Sequence, residues 1–324
     1  MTDLDALQAV LGPGARPVRH ALTGEAGIAL PPFADHHVHL HLIDPGPLAA
    51  GGIAAVVDLG GDPDALAGRR VGTPRVAYSG AFLTAPGGYP SGRAWAPDAV
   101  VHAVTSPSAS PGVAGGARTA VDEMADAGAS LIKVVLHAAG PALADDVLGA
   151  ILDAARLRGL PVVAHAEGRG MAQRAVRAGV DVLAHVPFSE HLHGETIAAA
   201  VADGMAWIST LAIHAGSPDA AVARTNLERF AAAGGRVLYG TDLGNTQAGP
   251  QRAGVSAAEL TALQDAGIRG PELVRTLTDG WPAGAVPGLA TFVPGGLPDD
   301  EFALPALLAA SRVVPVEELL DTTR

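Results

Sequence analysis

The feature that most constrains the fold of this 324-residue chain is a loose repeat: an alanine-rich stretch ends near a glycine, and a short apolar run follows. Glycine just past a helix can adopt the left-handed conformation that ends it. Continuous apolar runs without polar alternation are typical of parallel strands covered on both faces. The repeat therefore predicts successive βα units. Its five apolar runs are 130–136, 161–164, 180–184, 205–209 and 236–239.

Three further apolar segments predict upstream strands at 34–40, 53–59 and 75–83. The total of eight favours an α/β fold of the (β/α)₈ TIM-barrel type. The alternative is an open doubly wound sheet, but no Gly-x-Gly-x-x-Gly follows the first strand. We expect the barrel to occupy residues 34–285.

The two ends of the chain differ from its middle, because proline and glycine interrupt short apolar patches there. We expect residues 1–33 and 286–324 to form a small β appendage. Residues 3–11 predict a short amphipathic helix. The segment 85–117 is rich in glycine, proline and serine and predicts a long loop after the third strand.

Charge and composition exclude several classes of protein. Thirty-three acidic residues against twenty-one basic ones give a net charge of −12, the wrong sign for binding nucleic acid. No basic cluster or long apolar stretch indicates a membrane. The absence of cysteine excludes thiolate metal sites, so a metal would need nitrogen and oxygen ligands. We expect a cytoplasmic protein with a small-molecule partner, and a homo-oligomer is left open.

Lys133 is the only lysine in the chain and lies in the apolar run 131–136; all other basic residues are arginines. Burial makes a cation costly there. Unlike a guanidinium, an amine can lose its proton when desolvated and react, for example with carbon dioxide to form a carbamate. The alternative is a lysine that reaches solvent from a strand end.

Polar side chains lie at the ends of the other predicted strands. Strand alternation directs His37 and His39 to one side, and His165, His185 and Asp242 end later strands. In a barrel these ends converge on one site. Imidazole and carboxylate are ligands of zinc and similar divalent ions. Because the set exceeds the needs of one four-coordinate ion, it predicts two divalent ions, most simply Zn²⁺, bridged by carboxylated Lys133.

Taken together, these motifs resemble the amidohydrolase superfamily of metal-dependent hydrolases, over roughly residues 28–305. The phrases that carry the resemblance are Leu30–Leu40 with its Asp-His-His-Val-His, Val162–Ala166, Val182–His185 and Gly240-Thr241-Asp242. The resemblance implies one ion held by His37, His39 and Asp242 and a second by His165 and His185, with carboxylated Lys133 between them. The imidazolonepropionase and prolidase-like branch is the most similar.

The resemblance implies hydrolysis of a C–N bond in an amide, cyclic amide or dipeptide-like molecule. Hydroxide bridging the metals would attack, and Asp242 would carry the proton to the leaving nitrogen. The loop Thr84–Gly88 is similar to one in that branch which often continues with histidine, whereas Tyr89 follows here. The residues expected to contact substrate are Tyr89, His137, His214 and Arg252, with Arg93 and Arg169 as further candidates.

Three other functions stay open. In adenosine- and cytosine-type deaminases, which use one metal, a glutamate follows the fifth-strand histidine by three positions, whereas Glu167 follows His165 by two. Lactonases and phosphotriesterases share the ligand set but lack the extra β region. A barrel that binds a metal or ligand without turnover is the third.

Overall fold

The computed structural model describes residues 3–322 apart from 70–71, 246–248 and 250. Its strands are β1 (Arg16–His20), β2 (Ala26–Leu30), β3 (Phe33–Val38), β4 (Ile53–Asp58), β5 (Arg75–Tyr78), β6 (Phe82–Thr84), β7 (Val101–Ala103), β8 (Ile132–His137), β9 (Val162–Glu167), β10 (Val182–Leu183), β11 (Ala206–Ile208), β12 (Arg236–Leu238), β13 (Leu289–Pro294), β14 (Arg312–Pro315) and β15 (Leu319–Asp321).

In the described part of the chain, ten α-helices connect or flank these strands. They are α1 (Asp3–Leu11), α2 (Pro63–Ala67), α3 (Ala117–Asp126), α4 (Asp145–Leu157), α5 (Met171–Ala178), α6 (Gly194–Ala202), α7 (Asp219–Ala232), α8 (Ala257–Asp265), α9 (Gly270–Thr278) and α10 (Leu304–Ala309). Strand and helix alternate from β8 to α7, as the glycine-punctuated repeat predicts. Among the described residues, no helix is long and apolar enough to cross a bilayer.

The central strands are parallel and form two sheets. One has the order β3-β4-β5, and the other has the order β12-β11-β10-β9-β8-β6-β7. The residues after β12 also bond to β3: Tyr239 O accepts the His36 N–H at 2.9 Å, and Leu243 O accepts the His39 N–H at 2.9 Å. The first and last strands of the parallel region are therefore brought side by side, together with the polar residues at their ends.

The predicted strand at 75–83 is wrong as a single strand. It is interrupted at residues 79–81, where Gly80 has φ of 72° and a Cβ on Gly80 would lie 2.6 Å from the Met124 sulfur. The first half, β5, pairs with β4, and the second half, β6, pairs with β8. A glycine in the left-handed region bends the segment, so each half belongs to a different sheet.

Two smaller expectations also need correction. The segment 85–117 is not a loop throughout, because β7 lies within it and pairs in parallel with β6. His137 lies one residue beyond the predicted strand at 130–136, but in the structure it is the last residue of β8 and pairs with Glu167 of β9. This pairing brings His137 to the same sheet edge as the other polar residues.

The terminal segments form a separate antiparallel sheet of order β14-β13-β2-β1-β15. Ile28 pairs with Val293, and Val18 pairs with Asp321. Thr291 links this sheet to the parallel region, because its Oγ1 accepts the Phe33 N–H at 3.0 Å. Residues from both ends of the chain thus meet next to the start of β3.

Apolar helix faces cover the parallel strands. In α4, the buried residues Val147, Leu148 and Ile151 recur at helical spacing and face the core. The Trp207 ring of β11 stacks on Phe230 of α7 with 3.8 Å between centroids and 5° between planes, and both rings are fully buried. This contact fixes α7 against the sheet.

We expect Phe230→Ala to lower the free energy of unfolding by about 3–5 kcal/mol, because it removes a buried ring and leaves a cavity beside Trp207. Urea unfolding of metal-free protein measures the change. Phe302→Ala is the matched control, since that ring is 61% exposed, and it should cost less than about 1 kcal/mol. Equal losses in the two variants would contradict this view of the core.

Candidate metal centre

The carboxyl ends of the parallel strands surround a cavity of about 280 Å³. Strand ends point the same way in a parallel sheet, so their last side chains meet at one edge. The six predicted metal ligands all line this cavity: His37, His39, Lys133, His165, His185 and Asp242.

His37 and His39 both face Asp242. The Nε2 atom of each ring lies 3.2 Å from Oδ1 of Asp242. On the far side, Nδ1 of His37 lies 2.9 Å from Ala184 O, and Nδ1 of His39 lies 3.3 Å from Gly60 O. Carbonyl oxygens only accept hydrogen bonds, so Nδ1 carries the proton in each ring. Each Nε2 is therefore directed at the carboxylate, and a proton or a metal cation must lie between them, an arrangement that suits a cation site.

Asp242 is ionised in this setting. Burial by itself would raise its pKa, but the neighbouring His37, His39 and His185 hold the pKa of the carboxyl well below its usual value. Its backbone adopts φ of 53°, and Asn245 donates to its second oxygen at 2.9 Å. The left-handed conformation is tolerated by aspartate better than by most residues, and it places one carboxylate oxygen between the two imidazoles.

Asp35 holds β3 against residues 240–242, a role that the sequence pattern does not reveal. It is fully buried and accepts the N–H groups of His37 and Thr241 at 3.1 Å each, with the Thr241 hydroxyl at 2.5 Å. Burial raises the pKa of Asp35 to about 7, against these hydrogen bonds. Gly240 makes the approach possible, because a Cβ there would lie 2.3 Å from Ile208 Cγ2.

Lys133 lies on β8 at the bottom of the cavity. Its side chain is 1% exposed, and Nζ has no hydrogen-bond partner among the described residues. Burial lowers the pKa of Lys133 to about 7, although the carboxylates of Asp242 and Asp58 oppose the shift. The amine does not reach solvent, so the alternative of a snorkelling lysine is wrong. A buried amine with a lowered pKa and no partner is chemically reactive.

His165 and His185 complete the set. Nδ1 of His185 lies 2.9 Å from Thr210 Oγ1, and the His185 and His37 ring centroids are 4.7 Å apart. Ligand atoms of His37, His185 and Asp242 all lie within 4.8 Å of one another, close enough to hold one ion. Burial lowers the pKa of both His165 and His185, so both rings are neutral near pH 7 and can act as ligands.

A second group, His137, His165 and Glu167, has the same close spacing. Nδ1 of His137 accepts the Ala139 N–H at 3.1 Å, so the proton of the neutral ring is on Nε2, which faces Glu167 Oε1 at 3.4 Å. Nε2 of His165 faces Glu167 Oε2 at 3.1 Å. The Glu167 carboxylate therefore accepts a hydrogen bond from each ring. We call this hydrogen-bonded group of His137, His165 and Glu167 the Glu167 clasp. It leaves Nδ1 of His165 available to bind a metal.

Three of the four residues expected to contact substrate line the cavity: Tyr89, His137 and His214. The Tyr89 ring stacks on His137 at 4.9 Å and on His165 at 5.2 Å. Arg252 is exposed and is not among the lining residues, so the structure does not bring it to the site. Of the further candidates, Arg93 lines the cavity above Tyr89, whereas Arg169 is exposed and lies 3.8 Å from Glu190.

Several lining residues were missed by sequence reasoning. They are Phe82, Trp95, Glu167, Phe188, Ile213, Asp219 and Asn245. Most follow a strand within a connecting segment of irregular backbone, where no periodic pattern marks the direction of a side chain. His36, which lies between Asp35 and His37 on β3, does not line the cavity, and its Nδ1 lies 2.7 Å from Tyr239 O.

Solved structures share this architecture. A Xaa-Pro dipeptidase with bound methionine is 18% identical, with a TM-score of 0.68 over 90% of this chain and 86% of that one. An amidohydrolase is 21% identical, with a TM-score of 0.67 over 91% and 87%. The A. niger ochratoxinase is 19% identical, with a TM-score of 0.66 over 87% and 80%.

This chain has the fold of these hydrolases. One of these neighbours is described as an amidohydrolase, the superfamily whose motifs the sequence resembles, so the fold agrees with that resemblance. At these low identities the likeness establishes the fold alone. No family model matches the sequence, and no curated protein matches it.

We expect the neutral rings of His37 and His165 to carry their protons on different nitrogens in metal-free protein near neutral pH. His37 should be protonated on Nδ1, because Ala184 O accepts there, and His165 on Nε2, because Glu167 accepts there. Two-bond ¹H–¹⁵N correlation spectra distinguish the tautomers. The same tautomer in both rings would contradict the hydrogen-bond assignment.

Proposed function

We propose that this chain is an amidohydrolase-superfamily enzyme that hydrolyses a C–N bond in an amide, cyclic amide or dipeptide-like small molecule. It would use two divalent metal ions, most simply Zn²⁺. The proposal includes a closed (β/α)₈ barrel over residues 34–285 and a β appendage from residues 1–33 and 286–324. The hydrogen bonds between β3 and the residues after β12 support closure.

One observation carries the proposal. Imidazole Nε2 atoms and a carboxylate oxygen face one another beside a buried amine that has no hydrogen-bond partner among the described residues. Neutral imidazoles cannot satisfy a carboxylate through lone pairs, so the donor set fits cations better than it fits a network of hydrogen bonds. His37, His39 and Asp242 would hold one ion, and His165 and His185 the other.

Lys133 fits the role of a bridging ligand after carboxylation. Its neutral amine would attack carbon dioxide, form an N–C bond and lose one proton, which yields an anionic carbamate. The anion would offset part of the charge of two cations among side chains that are largely buried. No arginine could take this role, because a guanidinium stays protonated.

When bound, two such ions supply hydroxide near neutral pH and polarise a carbonyl group. The chain's own contribution is to move the proton and to place the substrate. Asp242 would accept the proton of the attacking water and deliver it to the leaving nitrogen. The Tyr89 hydroxyl stays protonated, because burial raises its pKa to about 12, and can donate to substrate.

Arg93 provides a contact for a substrate carboxylate. Its guanidinium lies 5.7 Å from the Tyr89 ring centroid, at the cavity wall, and it forms no ion pair within the described part of the chain. A free arginine beside a site pairs well with a carboxylate. His137 and His214 would line the remainder of the substrate site, and Arg252 is not proposed.

The structural neighbours support this reaction class, since they include proteins described as a dipeptidase, an amidohydrolase and a phenylurea hydrolase. Glu167 is committed to His165 and His137, which leaves a deaminase mechanism without its expected glutamate. The lactonase and phosphotriesterase alternative shares the same ligands, so an assay must separate it. A cytoplasmic location and a homo-oligomer remain predictions.

The proposal is tested by a substrate panel on protein loaded with Zn²⁺, Mn²⁺ or Co²⁺. The panel contains dipeptides, N-acyl amino acids, cyclic amides, lactones, phosphotriesters and nucleobases. We expect turnover of a C–N substrate at least about a hundredfold above the best lactone or phosphotriester. Faster lactone hydrolysis would favour the alternative, ammonia release from nucleobases would indicate a deaminase, and no turnover of any class would leave a non-catalytic barrel.

We expect Lys133→Arg to lower kcat by at least about a hundredfold and to halve the bound metal, because a guanidinium cannot form a carbamate. Activity assays and metal analysis measure the two effects. Arg177→Lys, at an exposed position on α5, exchanges the same two residue types and should change neither. Full turnover with full metal content in Lys133→Arg would reject the carbamate.

A further inference from the structure

The segment after β11 borders the candidate metal centre and has a strained backbone. Thr210 has φ of 44°, in the left-handed region that a β-branched residue rarely adopts, and its Oγ1 lies 2.9 Å from Nδ1 of His185. A 3₁₀ turn, Leu211–His214, follows directly and places Ile213 and His214 on the cavity wall. Such strain persists only where surrounding contacts over-determine the conformation.

Glu259 supplies those contacts from a different element. This α8 residue is 0% exposed; its Oε1 accepts the Leu211 N–H at 2.9 Å and its Oε2 accepts the Ala212 N–H at 2.7 Å. None of the described basic residues forms an ion pair with it. Burial raises the pKa of Glu259 to about 7, against the hydrogen bonds from Ser209, Ala212 and Leu211.

A local role in α8 does not account for this carboxylate. Ser256 and Glu259 have the spacing of a capping box, in which the glutamate would accept the N–H of the serine. Here the Ser256 N–H donates instead to the Tyr239 hydroxyl at 2.7 Å, while Ser256 Oγ accepts the Glu259 N–H at 3.2 Å. The helix start is therefore capped without the Glu259 side chain, which is directed to the turn.

The turn needs this external cap because its own capping residue is engaged elsewhere. Thr210 occupies the N-cap position, where a threonine hydroxyl ordinarily accepts an N–H of the first turn. Its side chain makes no such bond, since Oγ1 lies against His185. Both carboxylate oxygens of Glu259 meet the N–H groups that the turn leaves open.

We propose that Glu259 is a positioning residue for the active site. Its carboxylate, on α8, caps the turn Leu211–His214. The cap thereby keeps Thr210 in contact with His185 and keeps His214 in the cavity wall. The effect on hydrolysis rests on the function proposed above, whereas the effects on the turn and on His185 can be measured without turnover.

The test is Glu259→Gln, which keeps the size of the side chain but turns one acceptor into a donor facing an N–H. Hydrogen exchange on metal-free protein should show the Leu211 and Ala212 amides exchanging at least about tenfold faster. Gln264→Leu is the matched control: it removes a buried hydrogen bond of the same helix, from Gln264 Nε2 to Glu301 O at 3.0 Å. It should leave the exchange of the turn unchanged.

The link to the metal centre is read from Co²⁺ binding. Loss of a group that orients a ligand typically costs about ten- to a hundredfold in metal affinity or activity. We expect Glu259→Gln to weaken Co²⁺ binding by that factor, to alter the Co²⁺ absorption spectrum and to lower kcat/KM, while Gln264→Leu does none of these. A purely structural role would lower the folded fraction and leave the spectrum of the folded protein unchanged.

Each outcome decides the proposal. Unchanged exchange at Leu211 and Ala212 overturns it, and so does faster exchange with an unchanged Co²⁺ spectrum and affinity. If wild-type protein binds Co²⁺ but hydrolyses nothing, the proposed function fails, while hydrogen exchange and the Co²⁺ spectrum still test the role of Glu259. If wild-type protein binds no Co²⁺, the proposed link between Glu259 and His185 fails. Should Glu259→Gln not fold, Glu259→Asp, which keeps the charge and withdraws the oxygens, undergoes the same measurements.

Discussion

The site depends on one electrostatic constraint: a carboxylate and the Nε2 atoms of two imidazoles face one another among buried side chains. The Asp242 oxygen lies 3.2 Å from Nε2 of both His37 and His39, while both Nδ1 atoms are turned to backbone carbonyls. In a medium of low polarisability these nitrogen and oxygen atoms are stable together only with a proton or a metal cation among them. The other features of the cavity either create this arrangement or follow from it.

Groups outside the ligand set create it by selecting which ring nitrogen is free. Ala184 O selects the free nitrogen of His37 and Gly60 O that of His39, while Glu167 selects that of His165. Asp35 ties the backbone of His37 to that of Thr241. The orientation of each candidate ligand thus depends on an element other than its own, which is also usual in known metal sites.

Three buried ionisable groups form no ion pair among the described residues, and their burial lowers the free energy of unfolding. Burial shifts the pKa of Lys133, Asp35 and Glu259 to about 7 in each case, downward for the amine and upward for the acids. An apolar residue would pack at less cost in each place. All three groups instead lie at or next to the strand ends that form the cavity: Lys133 lines it, and the two acids accept backbone N–H groups beside it.

The sequence by itself determined most of the parallel strands and the ligand candidates, because both depend on local sequence patterns. These patterns are helices that end at glycine, apolar runs, and polar residues at equivalent positions near the strand ends. The tertiary structure decided what local pattern does not encode. Gly80 packs against Met124, Arg252 lies outside the cavity, and Glu167 pairs with His137 on the neighbouring strand. Asp35 and Glu259 are invisible to periodicity, since each acts on backbone N–H groups that are distant in sequence and adjacent only after the chain has folded.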